Sequence, residues 1–111
     1  MQGVQLIIPA RPEYVTTLRL VTASVAQKMG FDIEAIDDLR VSVSEAVNYL
    51  WAANEEIEIS FEEQIDRLTI DIRANLEETS DEGTKLHHQI MESLMDEVHF
   101  AQSSLSMTKI L

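Results

Sequence analysis

The sequence predicts an α+β protein, a two-layer sandwich in which three helices lie on one face of a mixed, mostly antiparallel sheet. Up to about residue 54, apart from one short opening strand, apolar residues recur every three or four positions, and afterwards the period drops to two over two adjacent stretches. The elements then read strand, helix, helix, strand, strand, helix, strand, strand. A chain of 111 residues, 45% apolar and with only three Gly and two Pro, suits one core and has no length for a second.

The first strand is "VQLII", Val4 to Ile8, β-branched and aliphatic, ended by Pro9, which cannot donate to a ladder. Pro12 suits the first turn of a helix, where its missing N–H leaves nothing unpaired. From Glu13 the set Val15, Leu18, Leu20, Val21, Val25 and Met29 follows helical spacing up to Gly30, a left-handed C-cap. Asp32 is the N-cap of a long second helix whose Ile36, Leu39, Val43, Val47 and Leu50 form one apolar stripe reaching toward Asn54. "EIEISFE" alternates Glu56, Glu58 and Ser60 against Ile57, Ile59 and Phe61, and "RLTIDIRA" alternates again after the turn "EQID", so the two form a hairpin. "NLEETSDEGT" carries four acids and no apolar period and reads as a solvated loop. A third helix is expected over Lys85 to Asp96, and "EVHFAQSSLSMTKIL" closes as two short strands around a turn near Gln102 to Ser104.

Eight Lys and Arg stand against twenty Asp and Glu, a formal charge of −12. Such a field repels phosphate backbones and anionic lipid heads, which argues against nucleic acid and membrane surfaces and for a protein partner. No cysteine is present, so a disulfide framework and a thiolate zinc site are both excluded. No apolar run approaches the roughly 20 residues that span a bilayer, and "MQGVQLIIPARPEY" has no basic region ahead of its apolar run, as a signal peptide would. A cytoplasmic domain is expected.

The segments "IPARPEYV", "LRL", "VAQKMGF", "IDDLRVSVSEAV", "DRLTIDI", "IMESLMDEV" and "MTKIL" resemble, in order and along nearly the whole chain, the anti-sigma-factor serine kinases of partner-switching systems, of the RsbW and SpoIIAB type. These belong to the ATPase superfamily shared with histidine kinases and gyrase. The resemblance implies the histidine-kinase-like ATPase fold over residues 1–111, a cytoplasmic bacterial regulator, a homodimer, and a sigma factor or anti-anti-sigma protein as partner.

The nucleotide motifs that the resemblance implies are altered in all three places. The family presents a Glu on the second helix and, four residues later, an Asn that holds Mg²⁺; Glu45 matches the Glu, but Tyr49 occupies the metal position. Asn48 cannot replace it, because adjacent helical positions project about 100° apart, and a phenol is a poor ligand for Mg²⁺. Where the family reads adenine with Asp-x-Gly, this chain has Ala74 and Leu76, and Asp71 lies three residues too early. Where a Gly-x-Gly lid would cradle phosphates at the third helix, Lys85, Leu86 and His87 stand, behind a lid that reads as shortened.

Glu45 is therefore expected to be a remnant rather than a base, and no cofactor is expected. ATP and Mg²⁺ enter only under the alternative of an active kinase that phosphorylates an anti-anti-sigma protein. His88 and Glu92, one turn apart beside His87, could suggest a metal-dependent hydrolase, but two ligands make no zinc site, and an exposed helix start accounts for adjacent histidines. Tyr49 and Trp51 are either an exposed anchor for a partner or filling for the nucleotide cavity. Arg19, in "TTLRLV", stands where the resembling anti-sigma factors carry the Arg that contacts their partners; the other reading is an internal ion pair with one of the acids.

Overall fold

The computed structural model describes residues 2–76 and 82–111. Strand β1 (Gln2–Pro9) leads through a 3-10 turn at Pro12–Tyr14 into α1 (Val15–Met29), then α2 (Ile33–Leu50), a second 3-10 turn at Trp51–Ala53, and the hairpin β2 (Glu56–Glu63) and β3 (Arg67–Arg73). Helix α3 (Glu82–Leu94) and the hairpin β4 (Glu97–Phe100) and β5 (Ser104–Ile110) complete the chain. The caps are those the sequence suggests. Gly30 sits at φ 97°, and the Asp32 carboxylate accepts from the Ala35 N–H at 2.8 Å.

The sheet order is β1-β2-β3-β5-β4, with every neighbouring pair antiparallel. The expected mixed sheet thus contains no parallel pair among the described strands. After crossing by α3, the chain enters at the far edge as β4 and returns as β5 beside β3, so both new pairings run antiparallel.

Register places Leu6, Ile59, Ile72 and Leu105 in one row across the sheet and Val4, Phe61, Ile70 and Met107 in the next, all on the helix-covered face. Against them α1 buries Leu18, Thr22, Val25 and Ala26, and α2 buries Leu39, Ser42, Val43, Ala46, Val47 and Leu50. The opposite face is polar: Gln5, Ser60, Asp71, Ser106 and His99 form one row, the division expected of an antiparallel sheet covered on one side.

Several boundaries differ from expectation. The first helix becomes α-helical at Val15, and Leu20, placed in its apolar set, is exposed. The second gives way to the 3-10 turn after Leu50. The third starts at Glu82 rather than Lys85, taking Gly83 and Thr84 into a first turn whose N–H groups need no helical partner anyway. It stops before Asp96, whose N–H donates to Thr108 O at 2.9 Å and whose carboxylate accepts from Ile110 N–H at 2.7 Å. Of the expected solvated loop, residues 77–81 lie outside the described part, and with them most of the shortened lid. Among the described residues no helix is long and apolar enough to cross a membrane.

Candidate functional site

Glu45 and Tyr49 are one turn apart on α2 and both face α3. From α3, the His87 Nδ1 meets Glu45 Oε2 at 2.5 Å, the two side chains being 28% and 19% exposed. A carboxylate held this closely by an imidazole N–H has one oxygen committed to an internal contact. Glu45 is thus neither free nor simply turned to solvent.

His88, next along α3, faces the interior instead. Its ring stacks on Phe100 of β4 at 3.9 Å and 24°, and meets the edge of Tyr49 at 4.7 Å and 83°; Tyr49 and Phe100 are themselves edge to face at 6.2 Å. Its Nε2 is buried and has no hydrogen-bond partner among the described residues. Burial pushes the imidazole below its ordinary 6.5, with Glu92 opposing and His87 adding to the shift. The ring therefore serves as a neutral aromatic plate. The expectation of two histidines on an exposed helix start is corrected: both are at least half-buried and each has a specific contact. Among the described residues no three His, Asp or Glu side chains are grouped to hold a metal ion.

The β3 exit closes the same region. Ala74 and Leu76 are half-buried against the core. Asn54 and Asn75 lock it: Asn54 Nδ2 donates to Leu50 O at 2.8 Å and to Asn75 O at 3.0 Å, and Asn75 N–H donates to Asn54 Oδ1 at 2.8 Å. Lys85 and Leu86 are exposed, beside Gly83 and Gln89 in a shallow cleft. Asn48 is exposed, whereas Tyr49 packs on the core; Trp51, offered with it as an anchor or as filling, is 47% exposed.

Arg19 lies on α1 beside a cleft of about 300 Å³ shared with Thr16, Leu20, Ala23 and Arg40. Among the described residues its buried Nε has no hydrogen-bond partner and its guanidinium makes no ion pair, so the internal-pair reading finds no acid there. Among the described residues Arg40 pairs with Asp37, at 3.5 Å. Sequence reasoning missed Arg40, Phe100, Asn54 and Lys109; the last, from β5, donates to Asp38 Oδ2 at 3.1 Å and to Leu94 O at 2.6 Å. An inward Lys in an alternating strand was the available signal.

Comparison with known proteins places this arrangement. A model of the histidine kinase-like ATPase domain matches residues 8–109. Serine-protein kinase RsbW of Bacillus licheniformis is 33% identical over 97% of this chain and 85% of its own length. RsbW of Oceanobacillus iheyensis is 46% identical over 61 residues, 51% of this chain and 39% of the relative. The first alignment runs over 139 positions against a chain of 111 residues, so that relative carries internal segments with no counterpart here. Among solved structures, the RsbU and RsbW domains of Rv1364c from Mycobacterium tuberculosis superpose with a TM-score of 0.72 over 99% of this chain and 32% of that one, at 12% identity, a likeness of fold. With an antiparallel sheet under three helices, a family match over residues 8–109 and a relative 33% identical over 97% of its length, this chain belongs to the RsbW-type family of histidine kinase-like ATPase domains.

Proposed function

We propose that this protein is a cytoplasmic regulator of the anti-sigma type that works by capturing a protein partner, and that it neither binds ATP nor transfers phosphate. The observation that carries the reading is the engagement of Glu45 by His87, with Tyr49 on the next turn packed into an aromatic cluster. The residues present do not fit Mg²⁺·ATP. One carboxylate oxygen is committed, the metal position carries a phenol, and Ala74 and Leu76 offer adenine no acceptor.

Capture is assigned to the α1 and α2 surface around Arg19, whose guanidinium suits a carboxylate on a sigma factor or an anti-anti-sigma protein. The protein is also proposed to be a homodimer, because β1, an edge strand without a charged residue, is an open template for pairing. The competing reading, an active serine kinase, is favoured by the relatives, which are serine-protein kinases. A thermal melt with millimolar Mg²⁺·ATP separates the two. Ligand at 100 times its dissociation constant adds about 2.7 kcal/mol, so a reproducible upward shift of several degrees establishes binding and overturns the proposal, whereas an unchanged midpoint is the expected result.

A further inference from the structure

The α2 exit forms a second surface, which shares no residue with the Arg19 cleft. A cleft of about 820 Å³ lies where the end of β1 meets the start of β2, and Trp51 forms one wall. Trp51 is 47% exposed, and Ile7, which also lines the cleft, is 61% exposed. An exposed indole and an exposed aliphatic side chain lining one cleft have the composition of interface anchors. The rim is acidic: Glu13, Glu55 and Glu56 line the cleft and all three are exposed. Arg11 also lines it, but lies 4.0 Å from Glu13, so an excess of negative charge faces the opening.

Charge and shape together select the occupant. A second copy seated in the cleft about a two-fold axis would set the three glutamates against themselves, so the proposed pairing through β1 uses its Gln2–Leu6 end and leaves Ile7, Ile8 and Pro9 to the cleft. Anionic lipid is repelled by the rim and by the charge of −12. A guanidinium suits both features at once: it stacks on an indole face and donates to carboxylates in a fork. We infer that the Trp51 cleft is a docking site for a basic, arginine-containing segment of a protein partner, with the arginine side chain over Trp51 and its charge met by Glu13, Glu55 and Glu56.

Trp51 is the only tryptophan in the chain, so its emission reports the site directly. The probe is a hexa-arginine peptide titrated at about 0.15 M ionic strength, where the Debye length is about 8 Å, with a neutral Ser-Gly hexapeptide and hexa-glutamate alongside. Hexa-arginine is expected to change the emission saturably and the other two to leave it unchanged. The triple variant Glu13→Gln, Glu55→Gln, Glu56→Gln is expected to weaken binding about tenfold, the order of effect for losing close charge pairs. The variant Glu34→Gln, Glu92→Gln, Glu97→Gln removes the same charge elsewhere and is expected to weaken it less than about twofold, as screened distant charges should. Equal weakening by both triples would reduce the effect to net charge and overturn the assignment. So would an unchanged emission, or an affinity unaltered in Trp51→Ala when followed by anisotropy of labelled peptide.

Discussion

Replacing Lys109 by Met tests the joint that holds α2 and α3 in the spacing the site requires. Lys109 points inward from β5, its side chain only 16% exposed, and its ammonium bonds Asp38 Oδ2 on α2 and Leu94 O at the end of α3. The carbonyl contact also sets a cation at the negative end of a helix. Met keeps the unbranched apolar stem, so packing loss is small and the charge is what disappears. Hydrogen bonds to a charged group contribute about 1.5 to 3 kcal/mol each. The Asp38 side chain is 35% exposed and recovers water when the ammonium leaves, which reduces that bond's share. A net loss of about 2 to 3 kcal/mol follows, and at roughly 4 °C per kcal/mol for a chain of this size the melting midpoint falls by about 8 to 12 °C. Thermal and urea unfolding measure it. The urea slope should stay at the wild-type value, because the surface exposed on unfolding does not change. Asp38→Asn keeps the Leu94 contact and should lose about half as much. A midpoint shift under about 3 °C in Lys109→Met would refute the joint, and equal losses in the two variants would show that the carbonyl bond contributes nothing.

Three further outcomes are expected. Arg19→Glu should weaken capture of the cognate regulator at least thirtyfold, since loss of a desolvated interfacial charge pair typically costs about 2 to 5 kcal/mol, while the melting midpoint stays within about 2 °C because Arg19 has no internal acid to lose; an unchanged affinity measured by calorimetry removes α1 from the interface. Burial lowers the folded-state affinity of His88 for a proton, so its contribution is complete above about pH 6.5 and declines as pH falls through and below that value. His88→Phe, which keeps the stack on Phe100, should flatten the stability profile between about pH 7 and 5 relative to wild type, and parallel profiles from urea titrations would contradict the buried neutral ring. Light scattering at high micromolar concentration should give twice the 12.6 kDa chain mass; a single chain mass counts against pairing at β1.

What could be read in the sequence was local, and what could not was set by partners far away in the chain. Asp32 and Gly30 declare their caps because the groups they satisfy lie within four residues. The period-two runs of β2 and β3 declare a hairpin because its turn is adjacent. The antiparallel return of β5 beside β3 depends on where α3 crosses, which no periodicity records. The Asn54 to Asn75 lock spans 21 residues and the contact of Glu45 with His87 spans 42. Each of these residues has an unremarkable reading when taken alone. The resemblance supplied the missing frame only halfway: it marks Tyr49, Ala74, Leu76, Lys85 and His87 as departures one at a time, and an exposed helix start is enough to account for the adjacent histidines. The structure makes several of these departures mutually dependent. A tyrosine on this turn of α2 needs apolar and aromatic neighbours for its ring, and His88 and Phe100 provide them. The register of α3 that brings His88 inward also carries His87 to Glu45. A carboxylate left there without a metal would be a half-buried charge lacking compensation, and His87 supplies the donor. On this reading Tyr49 and the two histidines stand or fall as a unit. Tyr49→Asn alone should lose stability without restoring a metal site, because the aromatic partners of His88 would be halved while Glu45 stays engaged.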